Sequence, residues 1–344
     1  MSPSFADHTT VRALSVLDLA PVGSGFTPAD ALRNSVELAQ LAERLGYVRY
    51  WFAEHHGMPG IASSVPEILI EHIASATTRI RVGSGGVMLP NHPPMRVAEV
   101  FHTLETLHPG RIDLGIGRAP GADIVTARAL RPFDAEQFPQ HLAEMVALSR
   151  GELPPDHPFH KARVVPGGVH LPPIWLLGSS GASARLAGSL GVGYAFARHF
   201  SPAPPEPAIE AYRASFHATL QFAVPHVIVG VSVICAETDA RAEYLAASTD
   251  LMWVQFQRGE FSTIPSPDEA LRYRYTPQEQ MIVESNRARH FIGSPATVAA
   301  AIRDLVASTH ADEVMVTSMI HEHTARMHSY ELVAVALGHA RSTG

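Results

Sequence analysis

The sequence contains one cysteine, Cys235, and one lysine, Lys161. A single thiol excludes an intrachain disulfide and suits a reducing compartment. The lone lysine, set in a stretch rich in Pro, Gly and His, is a poor candidate for Schiff-base chemistry. No long basic run is present, and 33 acidic against 26 basic side chains leave a formal charge of -7, the wrong sign for binding a phosphate backbone. Nucleic acid is therefore not an expected partner. The opening residues MSPSFADHTT lack a basic stretch followed by an apolar one, and no apolar run reaches the roughly 20 residues that span a bilayer. These absences predict a cytoplasmic protein without a membrane partner. Charged residues are only 17% of the chain against 46% hydrophobic, which excludes a solvating, disordered composition.

What is present is a repeated pairing of a short apolar run with a longer segment of helical periodicity, the pattern of parallel strands and crossover helices. Eight runs are read as strands: 13–19, 48–53, 80–89, 111–116, 174–178, 193–198, 226–235 and 313–319. Residues 29–45 are expected to form a helix with Leu32, Val36, Ala39 and Leu45 on one face. Continuously apolar runs such as VIVGVSVIC suit strands buried on both faces. Eight repeats favour an α/β fold of the closed (β/α)8 TIM-barrel type over an open doubly wound sheet. Residues 1–344 are read as a single barrel domain with insertions near 150–172 and 257–290, the second a candidate cover for the mouth at the carboxyl ends of the strands.

Working residues of such barrels follow the strands, and four of these places carry distinctive chemistry. Glu54-His55-His56 follows the second run. It could bind metal, serve as acid or base, or hydrogen-bond within its loop, and the spacing is not that of a helical zinc motif. Gly83-Ser84-Gly85-Gly86 interrupts the third run, where glycine marks either close approach of a ligand or backbone, or a tight bend. Gly115-Ile116-Gly117-Arg118 ends the fourth, offering a guanidinium to an anionic ligand group or to a rim salt bridge. Gly178, Ser179 and Ser180 precede a helix, where hydroxyls and free N–H groups could hold phosphate or simply cap the helix. His199 is one histidine among 20, His321-Glu322-His323 lacks a visible third ligand group, and Cys235 reads as a small buried hydrophobe. No metal site is expected.

The segments WFAEHHG, RVGSGGVMLPNHPP, RIDLGIGRAPG and IWLLGSSGASARLAG, in this order and spacing, resemble the bacterial luciferase-like flavin-dependent monooxygenases. The resemblance runs from about residue 12 to residue 337. It implies a barrel that binds FMN at the mouth, used as FMNH2 delivered by a flavin reductase, with O2 and a small, largely apolar organic molecule as substrates. It makes Glu54 and His55 the catalytic candidates, with His55 handling protons. It puts a non-proline cis peptide at Gly85-Gly86 beneath the flavin, and phosphate contacts at Arg118 and Ser179, beside Gly178 and Ser180. Homodimers are common in the family. Gly117 stands where some luciferases have cysteine, and 257–290 does not resemble the luminescent members, so a non-luminescent member is expected. An F420-dependent hydride-transfer oxidoreductase and a flavin-binding protein without turnover are the alternative readings.

Overall fold

The computed structural model describes residues 10–131 and 135–340. In chain order, β1 (Leu14–Asp18) leads to α1 (Pro28–Arg44), β2 (Arg49–Phe52) to α2 (Pro66–Ala76), and β3 (Arg81–Ser84) with its continuation β4 (Val87–Met88) to α3 (Pro94–Leu107). Next come β5 (Ile112–Gly117) with α4 (Ile124–Leu130) and α5 (Phe138–Arg150), then β6 (Ile174–Gly178) with α6 (Gly181–Leu190), and β7 (Gly193–Ala197) with α7 (Glu206–Ser215). The chain continues through β8 (Val227–Cys235), α8 (Asp239–Gln257), α9 (Pro267–Arg272), α10 (Pro277–Arg287) and a short β9 (His290–Gly293) to α11 (Pro295–Thr309), β10 (Glu313–Thr317) and α12 (His323–Ala336).

The strands are parallel and pair in the order β1-β2-β3-β5-β6-β7-β8-β10, and β10 pairs with β1 again, which closes an eight-stranded (β/α)8 barrel. β4 pairs with β5 beyond the end of β3, and β9 pairs with the outer half of the long β8, from Ser232 to Cys235. All nine residues of β8 are buried, as a strand enclosed on both faces requires. The loop that follows α8 is tied down at the mouth. Ile264 exchanges backbone hydrogen bonds with Val22 and Ser24, and Ser24 Oγ donates to Glu269. Residues 262–269 thus lie against the loops after β1 and β2.

Between β3 and β4 the chain turns through a cis Gly85-Gly86 bond. A Cβ on Gly86 would stand 2.8 Å from the Gly115 carbonyl oxygen, and one on Gly115 would stand 2.0 Å from that of Ser84. The glycines of the third and fourth runs are therefore needed because two backbones approach each other there.

The barrel interior is layered. At its floor Arg49 bridges Glu313, through Nε at 2.8 and 3.0 Å, and Asp113, through Nη1 at 2.9 Å, while Arg81 takes the other Asp113 oxygen. Above it lies an apolar layer of Leu17, Trp51, Trp175, Ala195, Ile228 and Met315.

Helix α1 starts at a capping box of Thr27 and Asp30 with Pro28 in its first turn. Its buried stripe is Ala31, Ser35, Leu38, Ala39 and Ala42, one position round from the expected face, so that Leu32 and Val36 sit at its edge. The cause is polar. Asp18, fully buried at the end of β1, accepts from Ser35 Oγ (2.6 Å), the Ala20 N–H (2.8 Å), Tyr50 and Arg326. These bonds hold α1 and α12 to the barrel wall. Asp18→Ala leaves the buried Arg326 guanidinium without its carboxylate, and should cost about 3–5 kcal/mol in urea unfolding. A loss under about 1 kcal/mol would show that the network is not what fastens these helices.

Candidate active site

The carboxyl ends of the strands form a mouth whose loops are joined through Glu54. This residue follows β2, is fully buried, and both of its oxygens are taken: Oε1 accepts from His56 Nε2 (2.9 Å), Asn91 Nδ2 (3.0 Å) and His92 Nε2 (3.0 Å), and Oε2 from the Met88 N–H (2.9 Å). Asn91 also donates to the Pro120 carbonyl, and the His56 N–H to that of Gly121. One carboxylate therefore ties together the loops after β2, β4 and β5. Gly121 fits for two reasons: its φ of +63° is left-handed, and a Cβ there would come within 2.4 Å of the Glu54 carbonyl oxygen.

These contacts set the electrostatics. Burial works against the Glu54 carboxylate, but the donors of His56, His92 and Met88 outweigh it and bring its pKa from the ordinary 4.5 to about 2. His92 moves the other way: burial would lower it, but Glu54 raises it above 6.5. His55 lies beside this cluster, its ring within reach of the Gly121 backbone and of the Glu54 and His56 charges. Its backbone N–H donates to Ser63 O (3.2 Å), while its Nδ1 is buried and has no hydrogen-bond partner among the described residues. Burial lowers its pKa, favouring the neutral imidazole.

Arg118 follows β5 directly and is exposed, with no carboxylate or hydrogen-bond partner among the described residues. The register Ile116↔Leu176 continues to bring Arg118 level with Gly178 on the adjacent β6. There Ser180 is the N-cap of α6, accepting weakly from the Ser183 N–H (3.4 Å), and Ser179 is exposed beside it. Capping is thus observed, and the first N–H groups of α6 keep the open side that every helix start has. Arg118 and the Gly178-Ser179-Ser180 turn thus follow the ends of adjacent strands, whereas Gly85 and Gly86 lie lower, between β3 and β5.

The three residues of the third cluster do different work. His321 Nε2 lies 3.0 Å from the Ser24 carbonyl, Glu322 caps α12, and His323 faces Glu37 at 3.3 Å. Cys235 is buried, with its thiol pushed up to about 12 by desolvation. Among the described residues no cluster of three His, Cys, Asp or Glu side chains could hold a metal ion, and no helix is long and apolar enough to cross a membrane.

The model of the luciferase-like monooxygenase family matches residues 13–313. The chain belongs to that family. It is 43% identical over 323 residues to a luciferase-like monooxygenase of Escherichia coli strain K12, covering 93% of this chain and 95% of that one. It is 34% identical over 330 residues to the N-acetyl-S-alkylcysteine monooxygenase of Bacillus subtilis strain 168, covering 94% and 98%. Among solved structures, apo-MsnO8 superposes with a TM-score of 0.85 at 40% identity, over 96% of this chain and 98% of that one. As a luciferase-like monooxygenase the protein is an oxidoreductase.

His92 and Asn91 were not anticipated from the sequence, although both lie in the LPNHPP segment that helps to mark the family. A carboxylate followed by two histidines within a buried strand end already demanded donors from elsewhere. The clasp has a definite pH signature. The Glu54 contribution is present above 4.5 and fades as pH falls toward 2, whereas the His92 contribution is complete below 6.5 and fades as pH rises through its raised folded value. The stability difference between wild type and Glu54→Gln, followed by urea midpoints across pH 3–9, should therefore peak between 4.5 and 6.5. A difference that does not vary with pH would mean that the clasp is not ionic.

Proposed function

We propose that this chain is a monooxygenase that uses FMNH2 and O2 to oxygenate a small, largely apolar organic compound, with reduced flavin delivered by a separate reductase. The observation that carries the reading is Arg118, an exposed guanidinium without a carboxylate partner among the described residues, level by register with a serine turn at the start of α6. A forked cation beside hydroxyls and free N–H groups is a donor set suited to a phosphate monoester. In this reading Arg118, Ser179, Ser180 and the backbone at Gly178 hold the FMN phosphate, and the narrow backbone at Gly85 and Gly86 lies under the ring. Bound reduced FMN supplies the electrons that activate O2.

The remaining residues shape the place where that chemistry occurs. Glu54 is a positioning residue: with both its oxygens engaged, it fixes the three loops beside His55. His55, neutral and with a buried Nδ1, can donate or accept a proton next to the reacting atoms. The apolar layer around Trp51 and Trp175 keeps the lower mouth dry. A homodimer is the assembly this reading expects, measurable by light scattering.

Titration with FMN is expected to give binding that weakens roughly 10–100-fold in Arg118→Ala, the worth of a charge-assisted contact. His55→Ala should keep FMN affinity within about twofold and lose about 100-fold or more in substrate oxidation, measured with NADH, a general flavin reductase and O2. Reduction of substrates by reduced F420 without O2, or FMN binding with no oxygen use on any substrate, would overturn the reading.

A further inference from the structure

A thioether stands between the glycine turn after β3 and Arg118. Met88 is the last residue of β4, two residues beyond Gly86, and its register partner on β5 is Gly117, the residue before Arg118. Its backbone is fixed by the N–H bond to Glu54 (2.9 Å). Its side chain turns inward. Asp113 of β5 belongs to the floor of the barrel interior, so by the two-residue period of a strand Gly115 and Gly117 also face the axis. A Cβ on Gly117 would stand 2.7 Å from Met88 Sδ and 3.2 Å from its Cε, and one on Gly121 would stand 3.2 Å from its Cγ. The sulfur thus fills the place that an inward side chain at 117 would take, and two glycines give it room.

The other methionines sit differently. Met145 and Met315 are sealed in the core, and Met281 on α10 is 66% exposed, whereas Met88 is half-buried at the mouth. A thioether is a polarizable nucleophile that peroxides convert to a sulfoxide, which puts a polar group where an apolar one was. With a flavin phosphate at Arg118 and the ring at Gly85-Gly86, the ligand passes over this sulfur.

We propose that Met88 is an oxidation site built into the mouth, converted to its sulfoxide when reduced flavin and O2 meet there without an organic substrate. This rests on the FMN reading and adds to it a way of shutting the site. The oxidant is hydrogen peroxide, formed when O2 takes two electrons and two protons from FMNH2. A sulfur lone pair attacks one peroxide oxygen, the O–O bond breaks and an S–O bond forms. The hydroxide released takes the proton left on the transferred oxygen and departs as water, so sulfur loses the two electrons that the peroxide gains. The new oxygen projects into the space of the ring. Unproductive turnover therefore closes the flavin site until a methionine sulfoxide reductase restores the thioether.

Peptide mass spectrometry of the ten methionines tests this, with Met281 as the internal comparison. When hydrogen peroxide is added to the apoprotein, Met281 should oxidise ahead of Met88, and saturating FMN should slow Met88 several-fold while leaving Met281 unchanged. With NADH, a general flavin reductase, FMN, O2 and catalase, and no organic substrate, the order should reverse. Peroxide that escapes is destroyed, so Met88 is oxidised and Met281 is spared. FMN affinity measured afterwards should have fallen roughly 10-fold and should return on treatment with methionine sulfoxide reductase. Met88→Leu, close in volume but without sulfur, should bind FMN within about twofold of wild type and keep that affinity through the same treatment. Three results would overturn the proposal: FMN bound but Met88 unoxidised under turnover, Met88 and Met281 oxidised equally with catalase present, or a loss of affinity that Met88→Leu does not prevent. An untreated protein that does not bind FMN defeats the flavin reading itself, and the oxidation site falls with it.

Discussion

A buried carboxylate cannot stay ionised in a barrel mouth unless donors surround it, and Glu54 gathers them from three loops. Once His56, Met88, Asn91 and His92 have converged on it, the loops after β2, β4 and β5 have no freedom to move apart. Gly121 must then pass within touching distance of the Glu54 backbone, which only a residue without a side chain permits. The position of Arg118, three residues earlier, follows from the same closure.

The distribution of guanidinium groups separates structure from site. Arg49 and Arg81 are locked to Asp113 and Glu313 at the floor, and Arg326 is locked to Asp18 in the wall. Buried charges of this kind are tolerable only because each is matched. Arg118, at the opposite end of the barrel from the floor network, has no such match among the described residues. A cation that the fold does not use for its own cohesion is available to a ligand.

Much of this was legible in the chain. The eight barrel strands coincide with the eight apolar runs, because burial on both faces leaves a continuous hydrophobic stretch that needs no tertiary information to find. The family was legible through motifs of glycine, histidine and arginine that sit at strand ends, and the cis bond stands at Gly85-Gly86. What the sequence withheld depends on three-dimensional meetings. The face of α1 was displaced by one position because Ser35 answers a buried aspartate 17 residues away, which helical periodicity cannot register. β9 was missed since HFIG, at the edge of the stretch 257–290, is only half-buried and pairs solely with the outer part of β8. Glu54 meets Met88, Asn91 and His92 from more than 30 residues away, and with 20 histidines in the chain none draws notice alone.

The central claim is that the mouth binds phosphorylated flavin through a cation with no partner among the described residues and the start of α6 capped by Ser180. A crystal structure of the protein with FMN tests it most directly. The account predicts the phosphate in hydrogen-bond contact with the Arg118 guanidinium and the Ser179-Ser180 turn, and the ring above Gly85-Gly86 with an edge toward His55. A flavin bound elsewhere, or a phosphate turned away from Arg118, would contradict it.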